Sequence, residues 1–353
     1  MHRRAFIETS TAAVLGTMIP DLSGPRKAKK MGVVVASYAI RWRSEAKSDK
    51  YPSFSNALDM LEHCHAIGAG GIQVGVRDWN NEFAGKVRDR REALGMYLEG
   101  QIMLPKDAAD TDRFDKEISA AKEAGIEILR AVCLTGRRYE TFDSLKAFKE
   151  FKKASMESIK HAEPIVQKHR VKLAIENHKD WRIPEMLDIM KYFDSEWIGV
   201  TLDTGNNIAL VEDPMEVVET LAPYAFTTHF KDMAVDEYED GFLLSEVPLG
   251  KGYLDLPGIK AVCEQHNPDI TINLEMITRD PLKIPCLTKS FWNTFDLVTS
   301  YELARTIKMV RANKGTDKSL PKISHLDPEK QLASEESNVQ LSFDYARKYL
   351  GLT

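Results

Sequence analysis

VKLAIENHKD, residues 171–180, is a short apolar run that closes on a carboxylate, Glu176, with Asn177 and His178 directly behind it. A charge at the end of an apolar strand is costly unless another group pairs with it or coordinates it. The pattern recurs three times downstream: IGVTLDTGN ends its apolar run on Asp203, YAFTTHFKD on His229 and DITINLEMI on Glu275, with helix-like stretches between. Three carboxylates and one imidazole at four successive strand ends suit one hard divalent cation.

Outward from that stretch, β-rich apolar runs alternate with amphipathic segments from about residue 31, as βα units around a parallel sheet require. MGVVVASYAI (31–40) is the first strand. SFSNALDMLEHCHAIGAG (53–70) has helical spacing, a serine cap and a glycine stop. GIQVGV, MYLEGQIML and IEILRAVCL supply strands two to four, and the charged helix LKAFKEFKKASMESIKHAEPIVQKH (145–169) delivers the chain to strand five. Eight strands in about 245 residues match the roughly 250 of a closed barrel. The fold expected is therefore α/β, a (β/α)8 TIM barrel over residues 31–315, with residues 316–353 a C-terminal linker and helix. A doubly wound open sheet is the alternative, but it would not gather four successive strand ends at one point. In a barrel those ends form the catalytic face.

Composition narrows the function. The 353 residues are 43% hydrophobic and carry a net charge of -5, which provides a core but no positive footprint for nucleic acid. Cys64, Cys133, Cys263 and Cys286 are widely spaced without a C-x-x-C pair, so they read as ordinary core thiols. MHRRAFIETSTAAVLGTMIP opens with Arg3, Arg4 and Phe6 ahead of a mildly apolar segment, the pattern of a twin-arginine export signal over residues 1–30. That segment is too short to span a bilayer. Residues 1–30 hold six Lys/Arg and two Asp/Glu, so their removal takes the charge to -9. A periplasmic or envelope location is expected.

The order Glu, Asp, His, Glu on strands five to eight resembles the xylose-isomerase-like barrel superfamily, in the branch that includes tagatose 3-epimerase, hydroxypyruvate isomerase and inosose dehydratase. The likeness runs over roughly residues 31–312 and includes VPLGKGYLDLPGI, similar to the family's glycine-containing loop before the last helix. It implies that Glu176, Asp203, His229 and Glu275 hold one divalent metal, with Mn²⁺, Mg²⁺ or Co²⁺ favoured and Zn²⁺ admissible. It also implies that Glu176 and Glu275 flank the substrate carbon and exchange its proton. Such chemistry is sound on its own terms, because a cation chelated by a carbonyl and a neighbouring hydroxyl stabilises an enediolate. The pattern departs from tagatose epimerases in three places: Asn206 stands where a substrate-binding histidine is expected, Arg182 where a second glutamate is, and Val235 near an expected arginine.

The function expected is a metal-dependent sugar isomerase or epimerase acting on a small carbohydrate. A lyase or dehydratase eliminating from keto-sugars or keto-inositols is the alternative, and a non-catalytic carbohydrate-binding barrel is a third reading. His178, Asn206 and Lys231 are the candidate substrate contacts, Lys231 otherwise forming a surface ion pair with Asp232. Gln73 and Gln101 are weaker candidates facing the barrel mouth. His63 and His65, two apart on a helix, do not share a face and make no zinc site. Phe291, Trp292 and Phe295 in the tail fit a lid wall, a contact in a homo-oligomer, or plain packing.

Overall fold

Residues 30–43, 48–315 and 320–352 are described by the structure, a computed structural model of the chain. The export signal read in residues 1–30 lies outside these residues except for Lys30. Eight parallel strands close into a barrel: β1 (Gly32–Val34), β2 (Gly71–Gly75), β3 (Tyr97–Gln101), β4 (Ile128–Ala131), β5 (Lys172–Glu176), β6 (Ile198–Asp203), β7 (Ala225–Phe230) and, after β8 (Asp232–Tyr238) and β9 (Gly241–Val247), β10 (Thr271–Leu274). β10 pairs with β1 and completes the ring. The expected barrel is thus the observed one.

The helices around it are α1 (Ala39–Arg43), α2 (Ala57–Ala66), α3 (Asn81–Leu94), α4 (Thr111–Glu123), α5 (Arg138–Thr141), α6 (Leu145–His169), α7 (Ile183–Phe193), α8 (Pro214–Leu221), α9 (Leu256–His266), α10 (Ser300–Asn313) and α11 (Pro328–Tyr345). Local chemistry sets their ends. Asn80 accepts from the Phe83 amide at 2.8 Å to start α3, and Gly95, at φ +65°, ends it. α2 is capped by Asn56, which accepts from Leu58 N, and not by the serine the sequence suggested. The first strand is also shorter than expected, because the chain turns into a 3-10 segment at Val35 and then into α1.

A three-stranded antiparallel sheet is inserted after β7, made of β8, β9 and β11 (Leu282–Ile284). Its hairpin turns at Asp240-Gly241. Gly241 has φ +155°, and a Cβ there would lie 2.2 Å from the Ile284 carbonyl oxygen, so glycine is required. Asp232, at the start of the hairpin, is not paired with Lys231. Its carboxylate accepts amides from Met233, Gly250, Gly252 and Leu254 and so shapes the glycine loop before α9.

α11 packs across the loop after β1: Glu335 accepts the amides of Ile40 and Arg41, and Glu336 meets Arg41 and His63. The tail aromatics pack inward. Phe291 is buried, stacks on Phe295 and lies 5.1 Å from Tyr139, while the Arg138 guanidinium sits over the Phe148 and Phe295 rings. Trp292 and Phe295 are half-buried and pack on Phe291 and on each other.

Candidate active site

Barrel register explains why four distant residues meet. Asp203 and His229 are direct partners on β6 and β7, Glu176 ends β5 beside them, and Glu275 follows the last residue of β10. One ligand atom from each of the four lies within 4.8 Å of the others, and all four residues are buried. Two ligands each roughly 2.2 Å from a common ion span about 4.4 Å. The cluster could therefore close on one ion with small side-chain adjustments.

The donors also show what they need. His229 Nε2 lies 2.8 Å from Gln73 Oε1, an acceptor, so this nitrogen carries the ring proton. Nδ1, the other ring nitrogen, is buried and turned to the carboxylates, 3.2 Å from Glu275 Oε1 and 3.5 Å from Glu176 Oε2. Lone pairs facing at that range repel unless a proton or a metal cation lies among them. Asp203 Oδ2 is likewise buried without a directed hydrogen bond and meets only the Lys231 ammonium at 2.8 Å. This set of hard oxygens and one imidazole fits a divalent cation.

Charge crowding moves the acidities in opposite directions. Burial raises Asp203 to about 6, aided by Glu275 and Glu176 and opposed by Lys231. Burial also acts upward on Glu275, but Lys231 and His229 outweigh it and hold that carboxyl well below its usual range. At Glu176, Arg130 and His229 outweigh burial in the same way. For His229 burial disfavours the imidazolium, yet Glu275 and Glu176 outweigh it and raise the ring to about 9. In the metal-free site a proton on Nδ1 thus stands in for the positive charge the carboxylates demand.

The expected substrate contacts divide. Lys231 is not in a surface pair with Asp232. It is 1% exposed and bridges Asp203 Oδ2 and Glu275 Oε2, at 2.8 and 2.5 Å. Asn206 is buried and occupied: its Nδ2 donates to Glu176 Oε1 at 2.9 Å and its Oδ1 accepts from Lys179. Both therefore buttress the tetrad. His178 is half-buried at the edge of a cavity over the strand ends, its Nδ1 has no partner, and burial lowers it to about 3. Gln73 lies one layer below, accepting from His229 and donating to Glu99, with Gln101 donating to it in turn. His63 bonds Tyr38 and Glu336, as a structural histidine would.

Two residues at the mouth escaped the sequence reading. Arg130, on β4, directs Nε and Nη2 onto Glu176 Oε2. Its signal was present, a charge inside the apolar run Ile128–Ala131. Lys179, 3% exposed, is bonded to Asn206, and burial with Lys231 and Arg279 nearby lowers it to about 8. Arg182, a departure from the epimerase pattern, points away from the tetrad to Glu302 and Glu212. Val235 is a buried residue of the inserted sheet.

A closed parallel barrel with this strand-end cluster defines a class, and the chain belongs to the xylose isomerase-like TIM barrel family, whose model matches residues 61–289. Among curated proteins the chain is similar to the 3-oxo-isoapionate decarboxylase of Pectobacterium atrosepticum, 26% identical over 231 residues, which are 64% of this chain and 78% of that protein. Among solved structures it is similar to the IOLI protein with a binding zinc atom (TM-score 0.52, 16% identity, 80% of this chain and 96% of that one). It is also similar to the probable 3-DHS dehydratase AsbF of Bacillus anthracis (TM-score 0.52, 14% identity, 70% and 92%). At these identities the two structures speak to the fold alone. Among the described residues, no helix is long and apolar enough to cross a membrane.

Proposed function

We propose that the chain is a divalent-metal-dependent enzyme of the sugar isomerase and epimerase kind, moving a proton on the carbon beside a substrate carbonyl. The observation that carries this reading is the convergence of His229 Nδ1 and three buried carboxylates within 4.8 Å of one another. Glu176, Asp203, His229 and Glu275 would hold the ion. When bound, the metal supplies Lewis acidity at the carbonyl oxygen, which acidifies the neighbouring C–H and steadies the enediolate. Glu275 takes the proton, since among the described residues no lysine or arginine holds its Oε1. Glu176 lies across the cluster on β5 and returns the proton to carbon when the product is an epimer or isomer. Lys231 and Arg130 keep the two carboxylates ionised and in place. His178, at the cavity edge, contacts a substrate hydroxyl.

A second reading is favoured by Arg130. With Oε2 of Glu176 under a guanidinium and Oε1 under Asn206, that carboxylate is a poor proton carrier, and Glu275 is left as the single base. A one-base reaction suits a lyase: the C–H proton goes to Glu275, the electron pair forms a double bond, and a neighbouring C–O bond breaks as Glu275 gives that proton to the leaving oxygen. The similarity to a decarboxylase supports bond cleavage through the same enolate. Incubation of metal-loaded protein with keto-sugars in deuterated water separates the readings. Deuterium in a product of unchanged formula marks an isomerase, loss of water, an alcohol or CO2 marks a lyase, and no exchange with any sugar by wild type overturns both. The proposal includes export by the twin-arginine route to the periplasm or envelope. Unchanged fractionation after Arg3→Lys with Arg4→Lys would overturn that part.

A further inference from the structure

A cavity of about 200 Å³ opens over the barrel mouth between the loops that follow β4, β5 and β10, and its wall includes Arg137, Glu140, His178, Lys179 and Arg279. Three of these are cations and one is an anion. The other cations at the mouth have carboxylate partners: Arg130 has Glu176, Arg137 has Glu140, Lys231 has Asp203 and Glu275, Arg279 has Glu246 and Arg138 has Glu185. Lys179 differs. Its ammonium is buried, its hydrogen-bond partner is the neutral Oδ1 of Asn206, and among the described residues no carboxylate pairs with it. The same Asn206 Oδ1 lies 3.4 Å from the Lys231 ammonium, so two cations converge on one amide oxygen.

An ammonium taken out of water without a counter-charge is costly, and proteins retain one where something else supplies the charge. Burial, then Lys231 and Arg279, accordingly push Lys179 down to about 8. Glu246 and Asp203 act on it from a distance, but no carboxylate among the described residues is in ion-pair contact with it, whereas the cavity beside it is open to a ligand. We infer that Lys179, with Arg279 and Arg137, forms a seat for a carboxylate group of the substrate, which makes the substrate a sugar acid and not a neutral sugar. This rests on the tetrad being where the substrate carbonyl is handled, since Asn206 links Lys179 directly to Glu176. A neutral hydroxyl in the seat would leave the charge uncompensated, so the site discriminates against neutral analogues.

The test is calorimetric binding of matched pairs, D-glucuronate with D-glucose and D-galacturonate with D-galactose, to metal-loaded and to EDTA-treated full-length protein. In at least one pair the acid is expected to bind tenfold or more tightly than the neutral sugar in both forms. Lys179→Met should abolish that preference. If that variant does not fold, Arg137→Met, on the cavity rim, should reduce the preference about threefold. No acid preference in any pair, a preference that disappears with EDTA because the carboxylate sits on the metal, or a preference indifferent to both variants would overturn the seat. Lys179-dependent binding of an acid without exchange or cleavage would sink the enolate reading and leave the seat standing. Exchange confined to neutral sugars would do the reverse.

Discussion

The barrel holds two polar layers, one above the other, and they are built on opposite terms. The lower one centres on Glu99 of β3, whose carboxylate accepts from Gln73, Thr227, Thr271 and Asn273, with Tyr97 bonded to Asn273 in turn. Every member has a partner, and burial raises Glu99 above the usual carboxylate range although those donors act against it. The upper layer, the tetrad, packs three carboxylates around His229 Nδ1, and neither that atom nor Asp203 Oδ2 has a partner beyond the charges crowded there. A satisfied buried network specifies a core, whereas one left unsatisfied asks for a ligand. The difference therefore assigns the lower layer to stability and the upper one to chemistry.

That contrast fails if changes in the two layers have the same consequence. Glu275→Gln should reduce turnover by about 10²–10⁴-fold, the range for loss of a positioned base. The melting temperature of the metal-free protein should fall only modestly, because the charge lost is one that Lys231 and His229 favour, while Lys231 keeps Asp203 and His229 keeps Glu176 as partners. Glu99→Leu should spare the tetrad but orphan several buried donors at roughly 1–3 kcal/mol each, lowering thermal stability sharply. Thermal melts of both variants without metal are the measurement. A Glu275→Gln protein as unstable as Glu99→Leu would erase the distinction.

The upper layer was more legible in the sequence than the lower one, for a physical reason. A carboxylate or histidine closing an apolar run is visible along the chain, and register converts four such endings into one cluster. Interior polar residues such as Glu99 in Tyr97–Gln101 look like solvent-facing positions until closure places Thr227 and Thr271 opposite them. The same holds for Arg130, whose partner Glu176 lies one strand away, and for Gln73, whose partner His229 lies 156 residues on. The β8–β9 hairpin was missed for another reason. Its alternation and Asp240-Gly241 turn were in plain view, but a βα rhythm leads one to expect a helix directly after β7.

Gln73 belongs to both layers, so it sharpens the comparison. It accepts from His229 Nε2 and donates to Glu99, fixing the ring so that Nδ1 faces the carboxylates. Loss of such an outer-sphere partner costs about 10–100-fold in metal affinity in comparable sites. Gln73→Leu should fall in that range, measured by competition with a chelating dye. Its loss of stability should be smaller than that of Glu99→Leu, since one donor to Glu99 goes while three remain. A Gln73→Leu protein that binds metal as wild type does would mean that the layers are independent.

The most direct sign that the upper layer awaits a cation is a dependence on pH. In the metal-free protein His229 titrates at about 9, so near neutrality its Nδ1 carries a proton where the ion must bind. Proton and metal then compete for one lone pair, and metal binding releases that proton. Below pH 9 each unit of added acid should weaken apparent metal affinity by about tenfold, flattening above it as the ring becomes neutral. Only groups that change protonation on binding contribute: Glu176 and Glu275, already held ionised, add nothing in this range, and Asp203, at about 6, adds only toward its acid end. The measurement is metal affinity from pH 6.5 to 9.5 with proton release followed in weakly buffered solution. A pH-independent affinity with no proton released would show that Nδ1 was never the ligand, and the unsatisfied character of the upper layer would then need another cause.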